Sequence, residues 1–240
     1  MKFDLSIIIT HFNPSNSEKD NPLIKTLQII DEQKSNYSIE VIIADDGSLY
    51  TKNIINENSE NYKIINDERC IYFAKNKKLQ LLLNNIGFGS NLISQWVYLP
   101  KTKQCMSKAR VLNYAVTKSN SENLLFIDDD NYFISNNSIK EINKLFKNYQ
   151  FLVGQIKDNN GRYRKFKSKR VQGTTIGIKK NIFIDIGGFG EWTEEYSCGV
   201  DSDFWIKVFN HFTTNQNLKA CYTDKFSTHD SFSKRWKVYT

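Results

Sequence analysis

Leu124-Leu125-Phe126-Ile127-Asp128-Asp129-Asp130-Asn131 is the stretch that decides how this chain folds. Four apolar residues run into three successive carboxylates. Such a run is the pattern of a strand buried on both faces, as in a parallel sheet. Open α/β sheets bind ligands beyond the carboxyl ends of their strands, which is where these acids would stand. Adjacent carboxylates repel one another, and each resists ionising beside the others. A divalent cation that prefers hard oxygen ligands, Mg²⁺ or Mn²⁺, resolves that conflict. Taken alone, the same residues also describe a solvated acidic turn after a core strand.

Working outward, the segment Lys108–Lys118 places Val111, Leu112, Ala115 and Val116 on one helical face and feeds the chain into this strand. Further upstream, Leu5–Thr10 and Ile39–Ala44 repeat the buried-strand pattern. Asn21-Pro22 opens a helix between them, with Asn as N-cap and Pro at the first helical position. Strand, helix, strand implies a right-handed parallel unit. The second strand ends in Asp45-Asp46-Gly47-Ser48. Between positions 66 and 104 the pattern is weaker: Leu79–Leu83 reads as helix and Trp96–Leu99 as strand.

Downstream, Ser138 and Glu141 have the spacing of a capping box ahead of an apolar stripe, Ile139, Ile142, Leu145 and Phe146. Phe151–Ile156 reads as a strand turned at Asp158-Asn159-Asn160-Gly161, and Gly173–Ile178 as a second short strand. Asp201–His211 carries Phe204, Trp205, Val208 and Phe209 at helical spacing. Between them, Arg162–Arg170 packs six Lys or Arg into nine residues, interleaved with Tyr163 and Phe166. Interleaving of this kind suits nucleic-acid backbones, acidic acceptors or anionic lipid heads, and is also the pattern of a solvated hairpin face. No nucleic-acid fold signature accompanies it.

The bulk properties set the frame. A chain of 240 residues with 40% apolar and 13% aromatic residues is globular and long enough for one substantial core. The formal charge of +7 favours anionic partners such as nucleotides. No apolar window is long enough to span a membrane, and Asp4 interrupts the opening apolar run. The four cysteines are widely spaced, which suggests free thiols in a reducing cytoplasm rather than a zinc site or a disulfide framework.

Four segments, in order, resemble the nucleotide-sugar glycosyltransferases of the GT-A fold, glycosyltransferase family 2 in particular. They are Ser6–Asn13 with Val41–Ser48; Ser107-Lys108-Ala109-Arg110-Val111-Leu112-Asn113, similar to β-1,4-galactosyltransferase-like members; Phe126–Asp130, matching the Asp-x-Asp element; and Gly187-Gly188-Phe189 followed by Gly199-Val200-Asp201-Ser202-Asp203-Phe204. The resemblance implies an α/β fold with a mostly parallel central sheet flanked by helices. It implies a single domain, with a donor nucleotide-binding half over about residues 1–131 and an acceptor-binding half over about 132–240.

Donor contacts are expected from Thr10 and Phe12, from Asp45 or Asp46 to a uracil N3–H, from Lys108 and Arg110, and from Asp128, with Asp129 supporting the turn. Asp130 would ligate the metal, Mn²⁺ or Mg²⁺, joined by His229 on a C-terminal segment closing as a lid. Asp201 would be the general base of an inverting displacement, and Asp203 a contact to the acceptor. Val200 stands where the family commonly has Glu, so the base role falls on the second acid of that pair.

The expected function is therefore metal-dependent transfer from a UDP-sugar to a hydroxyl of a glycan or lipid-linked glycan. Bacterial surface polysaccharide synthesis is the expected setting, in the cytoplasm with peripheral contact at the inner face of the cell membrane. Two alternatives stay open: a sugar-phosphate nucleotidyltransferase, which lacks support from a Gly-rich basic loop after the first strand, and a non-catalytic sugar-nucleotide or glycan-binding module.

Overall fold

A computed structural model of the chain describes residues 2–14, 21–51, 71–74, 92–100, 107–166 and 172–231. The reading of Leu79–Leu83 as helix lies outside these residues. Among the described residues, nine strands form one sheet in the order β3-β4-β2-β1-β5-β8-β7-β9-β6. Its centre is parallel: β1 (Leu5–His11) lies between β2 (Ile39–Asp45) and β5 (Asn123–Asp128), and β4 (Ile93–Tyr98) continues in the same sense beyond β2. Beyond β5 the sheet is mixed. β8 (Ile176–Lys179) runs antiparallel to both β5 and β7 (Phe151–Lys157), β9 (Ala220–Asp230) is parallel to β7, and β6 (Asn131–Phe133) closes that edge antiparallel to β9. The opposite edge is β3 (Ile71–Ala74), antiparallel to β4.

The apolar runs are buried on both faces because helices cover both. In β5, Leu125 and Ile127 join one core with Leu23, Leu27 and Ile30 of α1 (Pro22–Asp31) and Ile139 and Ile142 of α3 (Ser138–Leu145). Leu124 and Phe126, on the alternate face, pack with Val111, Leu112 and Ala115 of α2 (Lys108–Lys118) and with Phe204 and Val208 of α5 (Val200–Thr214). Each fully buried Leu or Ile contributes about 1.5–3 kcal/mol, so alternation along three central strands dictates the layering. The short α4 (Lys180–Asp185) completes the second layer through Phe183, which packs on Phe126 and Phe204.

Local signals hold in most places. Asn21 caps α1, its side chain accepting from the Leu23 N–H at 3.1 Å. The capping box at Ser138 does not form: Asn137 is the N-cap, Ser138 already lies in the helix with its hydroxyl donating to the Ser135 carbonyl, and Glu141 pairs with Lys144. The strand read over 173–178 shrinks to Ile176–Lys179, because Thr175 adopts a left-handed φ of 60° and Gln172–Thr174 cross the end of β5 instead. A β-branched residue holds that conformation only where its surroundings impose it, and here its hydroxyl is bonded to that of Thr228 at 2.6 Å.

Of the segment expected to close as a C-terminal lid from about Asp224 onward, the part up to Asp230 is a strand of the sheet, and residues 232–240 lie outside the described residues. His229 lies in β9, paired with Tyr132 on one side and Lys157 on the other. Two rows of backbone hydrogen bonds outweigh the polar, loop-like composition of Ser227–Ser231. In β9, residues 224–227 bulge opposite the lone Gln155 of β7, and this carries Phe226 over Gly154.

Gly154 is the position where that arrangement has least room. A Cβ there would stand 2.5 Å from Thr175 Cγ2 and 2.6 Å from the Phe226 ring. Gly154→Ala is expected to destabilise the protein by about 1–3 kcal/mol through overpacking, measured as a lower urea midpoint at unchanged m-value. An unchanged midpoint would mean that the bulge relaxes freely.

Candidate active site

The parallel register brings the ends of three strands together. Thr10 pairs with Asp128 and with Ala44, and His11 pairs with Asp45. The chain then turns through Asp129 and Asp130 into β6, so the carboxylates stand at the carboxyl edge of the sheet centre.

Above that edge lies Lys108, in the first turn of α2. Its Nζ donates to Asp128 Oδ1 at 2.8 Å and to the Gly173 carbonyl at 3.2 Å, and stands 3.9 Å from Asp201 Oδ1. Burial opposes the charge on this amine, but Asp128, Asp201 and Asp130 outweigh it and hold its pKa above the ordinary lysine range. For Asp128 the balance goes the other way. Burial pushes its pKa up, Lys108 pulls it down and Asp130 and Asp201 push it up again, leaving it at about 6. The Asp128 N–H donates to Thr174 Oγ1 at 2.8 Å. Asp201 is seated by Gly173: a Cβ on that glycine would lie 2.2 Å from the Asp201 carboxylate.

Below the edge is a buried network that the sequence did not disclose. His11 is 1% exposed, with Nδ1 at 2.5 Å from Asp129 Oδ2 and Nε2 at 2.6 Å from the Tyr50 hydroxyl. Burial, with Asp45 nearby, holds the Tyr50 pKa well above its ordinary value, so its O–H is kept as a donor. The consistent assignment has Tyr50 donating to Nε2 and Nδ1–H donating to the carboxylate. Asp129 is pinned further by its own N–H on the Thr10 carbonyl, 3.0 Å, and by Thr26 donating to its carbonyl, 2.7 Å. The one signal for His11 was a titratable residue at the last position of a buried strand. Its partner is 118 residues away, so spacing could not have named it.

The remaining candidates divide. Phe12 is half-buried beside this turn, its N–H 3.4 Å from Asp129 Oδ2. Asp46 accepts from the Ser107 N–H at 3.1 Å and thereby ties the start of α2 to the end of β2. Asp45 is fully buried, accepting from the Ser48 N–H, the Thr51 hydroxyl and the Trp96 indole at 2.8, 2.6 and 3.2 Å. That makes it a fastening of the strand end. Arg110 points along α2 to Glu194, 2.7 Å away, in a 3₁₀ helix over Glu191–Tyr196. Asp203 pairs with Lys207 at 2.8 Å and accepts from the Trp192 indole at 3.1 Å, on a different side of α5 from Asp201. Val200 is buried in the core at the helix start, which accounts for an apolar residue there.

Among the described residues, no group of three or more His, Cys, Asp or Glu forms a ready-made metal cluster. Asp130, in the turn that leads into β6, nevertheless meets β9 close to His229, because Tyr132 pairs with His229 and the Ser231 N–H donates to the Asp130 carbonyl at 3.0 Å. The His229 ring stacks on Tyr132, 5.1 Å between centroids, and its buried Nδ1 has no hydrogen-bond partner among the described residues. A buried, unpaired imidazole nitrogen close along the sheet to the acidic turn is of the donor type that suits a divalent cation.

No protein-family model matches the chain, and no curated protein sequence matches it significantly. Solved structures do. It is similar to Staphylococcus aureus TarS with a TM-score of 0.59 at 16% identity, over 97% of this chain and 37% of that one. TarS residues 1–349 in complex with UDP-GlcNAc give 0.59 at 16% identity, over 95% of this chain and 58% of that one. A mannosyltransferase from Pyrobaculum calidifontis, in complex with GDP-Man and Mn²⁺, gives 0.57 at 14% identity, over 98% and 59%. The chain thus spans between 37% and 59% of the length of these structures. The likeness establishes a shared GT-A-like α/β fold. No helix among the described residues is long and apolar enough to cross a membrane.

The Lys108 cluster makes stability depend on pH in a defined direction. Lys108→Met removes both the charge and the hydrogen bond that favour ionised Asp128. At pH 5 Asp128 is largely protonated and loses little, whereas at pH 8 its carboxylate is left uncompensated. The stability gap between wild type and variant should therefore widen as pH rises through about 6, reaching about 1–3 kcal/mol. Urea melts at both pH values test this, and a gap that narrows with rising pH would refute the assignment.

Proposed function

We propose that this chain is an inverting, metal-dependent glycosyltransferase that moves a hexosyl or N-acetylhexosaminyl group from a UDP-sugar to a hydroxyl of a glycan or lipid-linked glycan. The observation that carries the reading is the convergence of Lys108, Asp128 and Asp201 above the acidic turn, at the carboxyl edge of a GT-A-like sheet. The complexes of the similar structures with UDP-GlcNAc and with GDP-Man and Mn²⁺ support it. The donor half is residues 1–131 and the acceptor half 132–240. Synthesis of a bacterial surface polysaccharide, in the cytoplasm at the inner face of the membrane, is the setting we favour.

In this reading Phe12 stacks on the base and the strand ends at Thr10 and Asp46 border it. Asp128 hydrogen-bonds the ribose or the donor sugar, and Lys108 holds Asp128 and Asp201 in place while offering positive charge to the diphosphate. Asp129 acts from beneath, as the pinned centre of the turn. Asp130 and His229 would hold a divalent cation, which supplies Lewis-acid stabilisation of the departing diphosphate. Asp201 takes the proton of the acceptor hydroxyl. The hydroxyl oxygen forms its bond to the anomeric carbon as the bond from that carbon to the phosphate oxygen breaks, the electron pair leaving with the nucleoside diphosphate. Displacement from the opposite side inverts the anomeric centre.

Three outcomes follow. UDP with Mn²⁺ should raise the melting midpoint more than GDP with Mn²⁺; equal shifts would remove the uridine assignment. Asp201→Asn should cost about 10²–10⁴-fold in transfer while leaving nucleotide binding intact, and a variant that keeps more than about a tenth of wild-type turnover would exonerate Asp201. Gly173→Ala should push Asp201 out of place and lower kcat with little change in the KM for donor.

A further inference from the structure

A second cleft, of about 330 Å³, opens where β6, β7 and β9 meet beyond the acidic turn. It is lined by Ile134, Ser135, Gln155, Tyr163, Asp224 and Ser227. The β9 bulge builds it. Because residues 224–227 depart from the ladder, Phe226 goes down into the core while Asp224 and Ser227 are left along the opening. The Ile134 N–H donates to the Ser227 carbonyl at 3.0 Å, fixing one wall, and Tyr163 bridges to Lys157 on the other. Two apolar surfaces stand open to solvent there: Tyr163, 47% exposed, and Ile134, 44% exposed.

The lining selects its ligand. An exposed phenol ring and an aliphatic side chain suit a flat apolar face. A carboxamide, a carboxylate and two serine hydroxyls suit a ligand that both donates and accepts around its rim. A phosphate or nucleotide would meet Asp224, the one ionisable acid or base lining the cleft among the described residues apart from the tyrosine. A pyranose, with apolar faces and an equatorial ring of hydroxyls, meets both requirements, and the volume lies at the lower end of ordinary ligand pockets. Ile134 is four residues past Asp130, about 13 Å at strand rise, which puts the cleft a few sugar units from the acidic turn.

We infer that this cleft is a glycan-binding subsite, taking a sugar unit of the acceptor chain some distance from the unit that receives the transfer. It depends on the transferase reading only in naming that glycan an acceptor. The intact protein, without nucleotide, is applied to an array of immobilised mono- to hexasaccharides. Wild type should bind at least one series of longer oligosaccharides, and the corresponding monosaccharide about tenfold or more weakly. Tyr163→Ala should weaken the longer glycan about tenfold without moving the melting midpoint or the shift produced by UDP with Mn²⁺. Asp224→Asn, at an exposed position, provides a second variant with the same expectation. Absence of oligosaccharide binding by wild type, or wild-type binding by both variants, overturns the subsite. Glycan binding that depends on Tyr163, in a protein that releases no UDP from any UDP-sugar, would keep the subsite and overturn the transferase.

Discussion

The arrangement depends on how carboxylates are tolerated at the edge of a dry sheet. Asp128, Asp129 and Asp130 follow a strand whose side chains are buried on both faces, so two of the three begin their side chains in or near the core. Like charges so placed would push apart the strand end that carries them. Two cationic or donor groups prevent this from opposite sides. Lys108 reaches over from α2 to Asp128 and Asp201, and His11 reaches up from β1 to Asp129. The turn is thereby held in place rather than collapsed or splayed.

This division of labour explains why neighbouring acids behave differently. Asp129 is nearly inaccessible and its carboxylate is matched to a buried imidazole, which makes it part of the scaffold. Asp128 is partly exposed, shares its lysine with Asp201, and carries a raised pKa of about 6, as expected of a group poised between burial and compensation. Perturbed titration of this kind collects at functional sites because a ligand can complete the compensation. The Gln172–Thr175 segment has the same character. Strain at Thr175 is accepted where the segment supplies a carbonyl to Lys108, a hydroxyl to the Asp128 amide and the close backbone approach against which Asp201 rests.

The second half of the sheet shows how local preference yields to context. Ser227–Asp230 has loop-like composition yet forms the end of an eleven-residue strand, since β6 and β7 offer hydrogen-bond partners on both sides. Part of the basic run is spent in the same way: Arg164 pairs with Asp158 and Asp230, and Phe166 stacks on Tyr222. What reads in one dimension as a basic, aromatic tract is in part a clasp fastening the segment after β7 to β9.

The sequence by itself determined the layers and the location of the site. Continuous apolar runs along Leu5–His11, Ile39–Asp45 and Asn123–Asp128, buried on both faces, with helical stripes between them, admit few arrangements besides a parallel centre covered on both faces. Acids at the strand ends then fall at the carboxyl edge. These signals are local, carried by residues within one or two turns of each other. Only the tertiary structure decided which acids stay partly open at the strand ends and which are buried fastenings. Asp45 and Asp46 are adjacent, as are Asp128 and Asp129, and nothing in their spacing separates them. Their roles are assigned by Trp96, Ser107, Lys108 and His11, which arrive from other strands and helices. Contacts across the sheet leave no periodic trace in the chain, because their geometry exists only once the register between strands is set.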